Sequence, residues 1–115
     1  MTMKNNDKRE LSIVFPIYNE KKNIRKLIKE IKQLNKQNFF DLEIIFVNDG
    51  STDNTKEILE NYLNKLRIKK KIISYKENKG KGYAIKLGIL SSKGQWILTS
   101  DADLSVSLKH IVKWF

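Results

Sequence analysis

Four short apolar runs, each closed by a polar turn and separated from the next by a stretch with helical spacing, confine this chain to one kind of architecture. Residues 11–15, 42–47, 71–75 and 95–99 are rich in Ile, Val and aromatic side chains and read as strands. Pro16 ends the first by forcing a turn, and Asn48-Asp49-Gly50-Ser51 breaks the second with strong turn chemistry. Between them, residues 21–36 place Ile24, Leu27, Ile28, Ile31 and Leu34 on one helical face and Lys or Arg on the others. A second helix passes through Ile58, Leu59, Tyr62, Leu63 and Leu66, with Ser51, Thr52 or Asp53 available as its N-cap. A short third helix covers 83–91, with Ala84, Leu87 and Gly88 facing one way, and Leu108, Ile111, Val112 and Phe115 begin a fourth. Strands alternating with helices predict an α/β domain with a doubly wound, mostly parallel sheet, right-handed crossovers and helices on both faces.

At 115 residues the chain supports one domain with a modest core. Residues 1–10 carry no periodic apolar face and read as a flexible lead-in, which leaves 11–115 as the domain. No run approaches the roughly 18–20 apolar residues that span a bilayer. The absence of Cys excludes disulfides and thiolate metal sites and suits a reducing compartment, so the cytoplasm is the expected location. The net charge of +10 invites an anionic partner. Lys greatly outnumbers Arg, which occurs only at 9, 25 and 67, and Asn and Ile are also abundant, a pattern that nucleotide bias in a genome produces without selection for a partner. The basic residues are scattered over helix faces, which argues against a nucleic-acid module. The densest cluster, Arg67-Ile68-Lys69-Lys70-Lys71, lies between two predicted elements and offers a weak contact for anionic lipid head groups.

In a doubly wound sheet, ligands bind outside the carboxyl ends of the strands. Every unusual polar cluster of this chain lies at such an end. Asp101-Ala102-Asp103 puts two carboxylates beside the fourth strand, where alternation aims both at one ligand or the local turn separates them. Hard cations such as Mg²⁺ or Mn²⁺ take oxygen ligands and commonly share their site with phosphates, so the pair suits a metal–diphosphate. The same residues also serve as turn formers or caps. Asn48 and Asp49 form a turn signature whose carboxylate projects at the crevice mouth, where it can accept a hydrogen bond from a nucleobase imide. Glu20, after Pro16-Ile17-Tyr18-Asn19, suits either the positive end of the first helix or the site. Gly80-Lys81-Gly82 precedes a helix and can offer backbone N–H groups and a Lys to phosphate, or act as a plain turn. It has neither Walker spacing nor the third Gly of a dinucleotide fingerprint, because position 85 is Ile. His110 has no Cys or His neighbour and reads as a surface or partly packed residue rather than a metal ligand, while Trp96 and Trp114 sit in apolar patterns that assign them to the core.

Taken in order, Pro16-Ile17-Tyr18-Asn19-Glu20, Asn48-Asp49-Gly50-Ser51-Thr52-Asp53, Asn78-Lys79-Gly80-Lys81-Gly82-Tyr83-Ala84 and Asp101-Ala102-Asp103-Leu104-Ser105 resemble the family 2 glycosyltransferases of the GT-A (Rossmann-like) fold. The last two clusters are most similar to the dolichyl-phosphate glucosyl- and mannosyltransferase branch, and the Gly-Lys-Gly form leans toward the glucosyltransferases. The resemblance implies an inverting, metal-dependent transfer of a hexose from a nucleotide-diphosphate sugar, UDP-glucose being favoured, to a polyprenyl phosphate. It implies that Pro16, Tyr18, Asn19, Glu20, Asn48 and Asp49 hold the nucleotide, and that Lys79, Gly80 and Lys81 lie near the donor. Asp101 would contact ribose or sugar and Asp103 the Mg²⁺ or Mn²⁺. An acceptor phosphate oxygen would attack the anomeric carbon directly, with positioning and charge neutralisation carrying the reaction.

Two features depart from the pattern. Family members often have Asp where this chain has Asn48, so one carboxylate of that motif is missing. They also continue beyond the Asp-x-Asp motif into an acceptor-binding region and often membrane segments, so the chain is expected to be a truncated, donor-binding half whose complete form works at the cytoplasmic face of a membrane. The rival expectations are a nucleotide-sugar-binding fragment without transferase activity and a family enzyme acting on another acceptor, such as a cell-surface polysaccharide.

Overall fold

The computed structural model describes residues 8–104 and 107–115; most of the expected lead-in (1–7) and Ser105 of the fourth motif lie outside them. The described elements are β1 (Arg9–Ile17), α1 (Ile24–Lys36), β2 (Phe40–Asp49), α2 (Thr55–Leu63), β3 (Lys69–Tyr75), α3 (Lys81–Ser91), β4 (Trp96–Thr99) and a 3₁₀ helix (Leu108–Trp114). The strands form one sheet in the order β3-β2-β1-β4. Every pairing is parallel, as the strand–helix alternation requires.

The chain steps outward from β1 through β2 to β3, then crosses back to lay β4 on the other side of β1. Right-handed crossovers therefore place α1 and α2 on one face and α3 on the other. Side-chain alternation serves both faces. Leu11, Ile13, Phe15 and Ile17 of β1 and Leu42, Ile44 and Phe46 of β2 pack with α1, α2 and the 3₁₀ helix, whereas Val14, Ile45 and Val47 pack with Ala84 of α3. The reversal of direction between β1 and β4 is the switch point at which such sheets open a crevice.

Pro16 does not end β1; the strand runs on through Ile17, and Pro16 is paired in register with Val47. The reason is directional. Val14 O accepts from Ser100 N at 3.0 Å, so the backbone groups of Val14 face β4, and those of Pro16, two residues on, face the same side. Pairing with β4 stops at Val14–Thr99, and the N–H that Pro16 lacks would have had no strand to meet.

Other differences are local. β1 starts at Arg9, inside the expected lead-in, because Arg9 and Glu10 pair with Phe40 and Asp41. β3 starts at Lys69, so the basic cluster is partly strand. Lys69 Nζ lies 3.3 Å from Asp41 Oδ2, Lys70 Nζ donates to Leu66 O at 2.5 Å and Lys71 Nζ to Ser91 O at 2.9 Å. Lysines suit this position, since β3 is an edge of the described sheet and charge discourages further strand pairing. The last segment is 3₁₀ rather than α: it is only seven residues long, and its two buried residues, Leu108 and Ile111, stand three apart, as a three-residue turn places them on one side.

Trp96 and Trp114 are not core residues, being 47% and 58% exposed. Trp96 belongs to β4, the other edge of the described sheet, where its ring meets that of Phe115 in an edge-to-face contact with centroids 5.4 Å apart. His110 is exposed, the first of the two placements that the sequence left open.

Two close contacts set α3 and its exit. Ser12 Oγ donates to Glu43 Oε1 at 2.7 Å, Lys93 N donates to the same oxygen at 2.9 Å, and Gly94 N donates to Ser12 Oγ at 2.9 Å, so the sheet holds the α3–β4 connection. Burial pushes the Glu43 carboxyl up, but the Lys93 N–H, the Ser12 hydroxyl and the charges of Lys71 and Lys93 outweigh it and hold it below the usual range. At Gly88, a Cβ would fall 2.2 Å from Val14 Cγ1, which shows how closely α3 lies on β1. Gly88→Ala should cost roughly 1–3 kcal/mol in urea unfolding through overpacking. In a Val14→Ala background the same substitution should cost less, because the two changes share one space.

Candidate functional site

The carboxyl ends of the strands surround a crevice of about 400 Å³, lined by Pro16, Ile17, Tyr18 and Glu20 after β1, Asp49 at the end of β2, Asn78, Gly80 and Lys81 before α3, and Asp101, Ala102 and Asp103 after β4. That volume lies within the roughly 300–1,000 Å³ of small-molecule sites. Four segments from across the sequence meet there because the parallel sheet ends all its strands on one side.

Asp49 organises one wall. It is 3% exposed, and Tyr75 Oη donates to its Oδ1 at 2.7 Å, Lys79 N to Oδ1 at 2.8 Å and Gly80 N to Oδ2 at 3.0 Å. Its carbonyl accepts from Asn78 Nδ2 at 3.2 Å. One carboxylate thus fixes the whole turn that leads into α3. Register makes this possible, since Asp49 and Tyr75 are paired at the ends of adjacent strands. Burial raises the Tyr75 phenol above its ordinary value, and the hydrogen bond and charge of Asp49 raise it further. Gly80 completes the turn at φ +95°, a conformation open to glycine.

A second clamp joins the loops after β1 and β2. Asn19, at φ 50°, accepts through Oδ1 from Thr52 N at 2.8 Å and Asp53 N at 3.3 Å, while its own N–H donates to Ser51 Oγ at 3.0 Å. Asn tolerates this left-handed backbone better than most residues. Glu20 N donates to Thr55 Oγ1 at 3.1 Å, and Glu20 Oε2 accepts from Asn23 Nδ2 at 2.7 Å. This turn delays α1 to Ile24, with Asn23 as its N-cap. Ahead of α2, Asp53 Oδ1 accepts from Thr55 N at 2.9 Å and from the Thr55 hydroxyl, so Asp53 shapes the turn while Asn54 stands at the N-cap.

The fourth wall is acidic. Ala102 is buried in the core between Asp101 and Asp103, both exposed, so the turn directs the small residue inward and both carboxylates into the lining. Facing them, Lys81 Nζ lies 2.6 Å from Asp101 Oδ1. The hydrogen bond and charge of Asp101, with a smaller contribution from Asp103, hold the Lys81 ammonium above its ordinary value. No group of three or more His, Cys, Asp or Glu side chains placed to hold a metal occurs among the described residues. Two carboxylates beside a lysine instead fit a cation such as Mg²⁺, which takes one or two protein carboxylates and completes its shell with water and substrate phosphates.

The structure therefore brings together Pro16, Tyr18, Glu20, Asp49, Gly80, Lys81, Asp101 and Asp103 of the expected site. Asn19, Asn48 and Lys79 stand outside the lining. Asn19 is spent on the α2 turn. Asn48 donates through Nδ2 to Ser74 Oγ at 3.0 Å and accepts from Ser51 N at 3.4 Å, and the Lys79 ammonium lies 5.1 Å from the centre of the Tyr83 ring. Sequence reasoning did not single out Tyr75 or Thr55; their signal was position, at a strand end and a helix start beside the motifs.

The family model of glycosyl transferase family 2 matches residues 12–113, and the chain belongs to that family. It is 36% identical over 111 residues to human dolichyl-phosphate beta-glucosyltransferase, which covers 91% of this chain and 34% of that protein. The chain thus spans about a third of the length of that relative. Among solved structures, S. aureus TarS 1-349 in complex with UDP-GlcNAc superposes with a TM-score of 0.73 at 31% identity over 90% of this chain and 29% of that one. A mannosyltransferase from Pyrobaculum calidifontis, PcManGT, in complex with GDP-Man and Mn²⁺, gives the same TM-score of 0.73 at 20% identity over 86% of this chain and 29% of that one, and attests the fold. The expected GT-A architecture is the one observed.

Proposed function

We propose that this chain supplies the donor site of an inverting, metal-dependent glycosyltransferase that moves glucose from UDP-glucose to a polyprenyl phosphate. The observation that carries the reading is the convergence of Asp101, Asp103, Lys81 and the Asp49-held turn on one crevice at the sheet's switch point. Identity to a dolichyl-phosphate beta-glucosyltransferase supports the acceptor and the sugar, and likeness to a protein that binds UDP-GlcNAc supports uridine. A polyprenyl tail keeps such an acceptor in a bilayer. No described helix is long and apolar enough to cross a membrane. In this reading the domain works at the cytoplasmic face of the bilayer that holds the acceptor, with the basic start of β3 as a weak contact.

In this reading Pro16, Tyr18 and Glu20 receive the base and ribose from one side and Asp49 from the other. Asn19 and Lys79 act by holding the loops that carry them, and Asn48 by tying the end of β2 to β3. Asp103, helped by Asp101, would hold Mg²⁺ or Mn²⁺, which supplies charge neutralisation for the diphosphate as it leaves. Lys81 adds a point charge from the facing wall. The bond from the anomeric carbon to the diphosphate breaks as an acceptor phosphate oxygen bonds to the opposite face, so the carbon is inverted. Such an oxygen is already anionic and needs no strong base; positioning carries the step.

Calorimetric titration of UDP-glucose in Mn²⁺, in EDTA and into Asp103→Asn tests this reading. Binding should need Mn²⁺ and weaken by at least about tenfold in the variant, as loss of a charged metal ligand implies. Binding that is equally strong in EDTA would sink the metal site, and no binding by the folded chain would sink the donor site.

A further inference from the structure

We infer that Lys81 is an exchangeable counter-ion, which holds Asp101 until a divalent cation and a diphosphate enter the crevice and then passes from the carboxylate to the diphosphate. The inference rests on the donor-site reading above and adds an order of events and a source of cooperativity to it.

Lys81 Nζ and Asp101 Oδ1 are 2.6 Å apart, with side chains 61% and 47% exposed, and both residues line the crevice. The pair joins the first residue of α3 to the segment after β4, so it bridges two walls. An exposed ion pair of this kind is weak and readily opened. It is also incompatible with a cation on the same oxygen, because an ammonium within hydrogen-bonding distance would repel a divalent ion bound there.

Lys81 needs an anion in either arrangement. It occupies the first turn of α3, where the helix dipole disfavours a cation, and that turn contains no acidic residue. In the structure Asp101 is that anion. A diphosphate brings more negative charge to the same crevice, and the flexible four-carbon stem lets the ammonium follow it. Displacing Lys81 therefore weakens the binding of metal alone. Once a diphosphate is present the lysine is repaid with a better partner, so metal and diphosphate each strengthen the other, as linkage requires.

Calorimetry on the full chain separates these effects, using Mn²⁺ alone and then UDP and GDP in saturating Mn²⁺, on wild type, Lys81→Met and Lys86→Met. Lys86 is an exposed residue of the same helix, so its variant carries the same change in net charge. Lys81→Met should bind Mn²⁺ alone about five- to tenfold more tightly, while whichever nucleotide the wild type takes should bind about tenfold more weakly. Lys86→Met should stay within about twofold of wild type in both titrations. Unchanged or weaker Mn²⁺ binding by Lys81→Met, unchanged nucleotide binding, or the same changes in Lys86→Met would each overturn the exchange while leaving the donor site standing. If wild type takes neither UDP nor GDP in Mn²⁺, the donor site falls and the exchange with it.

Discussion

Asp49→Ala should lower the stability of the chain by about 3 kcal/mol and its midpoint of thermal unfolding by roughly 10–15 °C. The substitution strips the acceptor from Tyr75 Oη, Lys79 N and Gly80 N at once. These bonds end on a buried carboxylate, and such charge-assisted bonds are among the stronger ones in a protein. Water reaches the crevice side of the turn, which limits the loss to less than the sum of three. Asp49→Asn should fall between, at about 2 kcal/mol, because its amide can still accept on one side but turns an N–H toward a donor on the other. Urea unfolding measures both, and hydrogen exchange should show the amides of Lys79 and Gly80 losing protection first. Stability within about 1 kcal/mol of wild type for Asp49→Ala would show that the turn stands without its carboxylate.

The same contact has a pH signature. The folded state holds the Tyr75 proton more tightly than the unfolded chain does, so its contribution is complete below the ordinary phenol value of about 10 and declines as pH rises beyond it. Without the Asp49 charge that alkaline decline should shrink, which distinguishes loss of this network from general loosening.

Gly50→Ala carries the second large effect, an expected loss of about 3–4 kcal/mol, with Gly50→Val failing to unfold cooperatively. Gly50 sits at φ +71°, and a Cβ there would lie 2.4 Å from Asn78 N, 2.6 Å from Glu77 C and 2.9 Å from Lys76 O. All three are backbone atoms, so no side-chain rotation relieves the clash. The segment before α3 would have to move outward, and with it the Lys79 and Gly80 amides that Asp49 holds. Gly82→Ala is the contrast: nothing lies within 4 Å of its Cβ position, inside a helix, so this change should stabilise by about 0.5–1 kcal/mol. Denaturant titration of the two variants should give opposite signs; equal effects would mean that the approach of the turn to Asn78 is not a constraint.

The alternation of elements was legible because strand and helix periods are local properties. Ile24, Leu27, Ile28, Ile31 and Leu34 are all buried, as their spacing on one face of α1 requires. Reading failed where the answer depended on a neighbour distant in sequence. Pro16 looked like a strand end, yet its missing N–H points beyond the last residue of β4, more than eighty positions on. Trp96 looked like core, but it lies on an edge strand.

The candidate site divides in the same way. Its motifs could be found by residue type, since turns that end strands must be polar and must contain residues such as Gly50 that accept left-handed backbone. Which of those residues face a ligand and which hold a loop was a matter of pairing. Asn19 turned to the loop after β2 and Asn48 to the end of β3 because the register of β1, β2 and β3 brought Thr52 and Ser74 within reach. Lys81 met Asp101 because β4 returns beside β1 and sets its carboxyl end opposite α3. The order of strands and helices, the covered faces and the places where polar turns interrupt them depend on residues close along the chain and could be read from it directly. The partners of each turn could not, because those contacts form between strand ends that are neighbours in space and strangers in sequence.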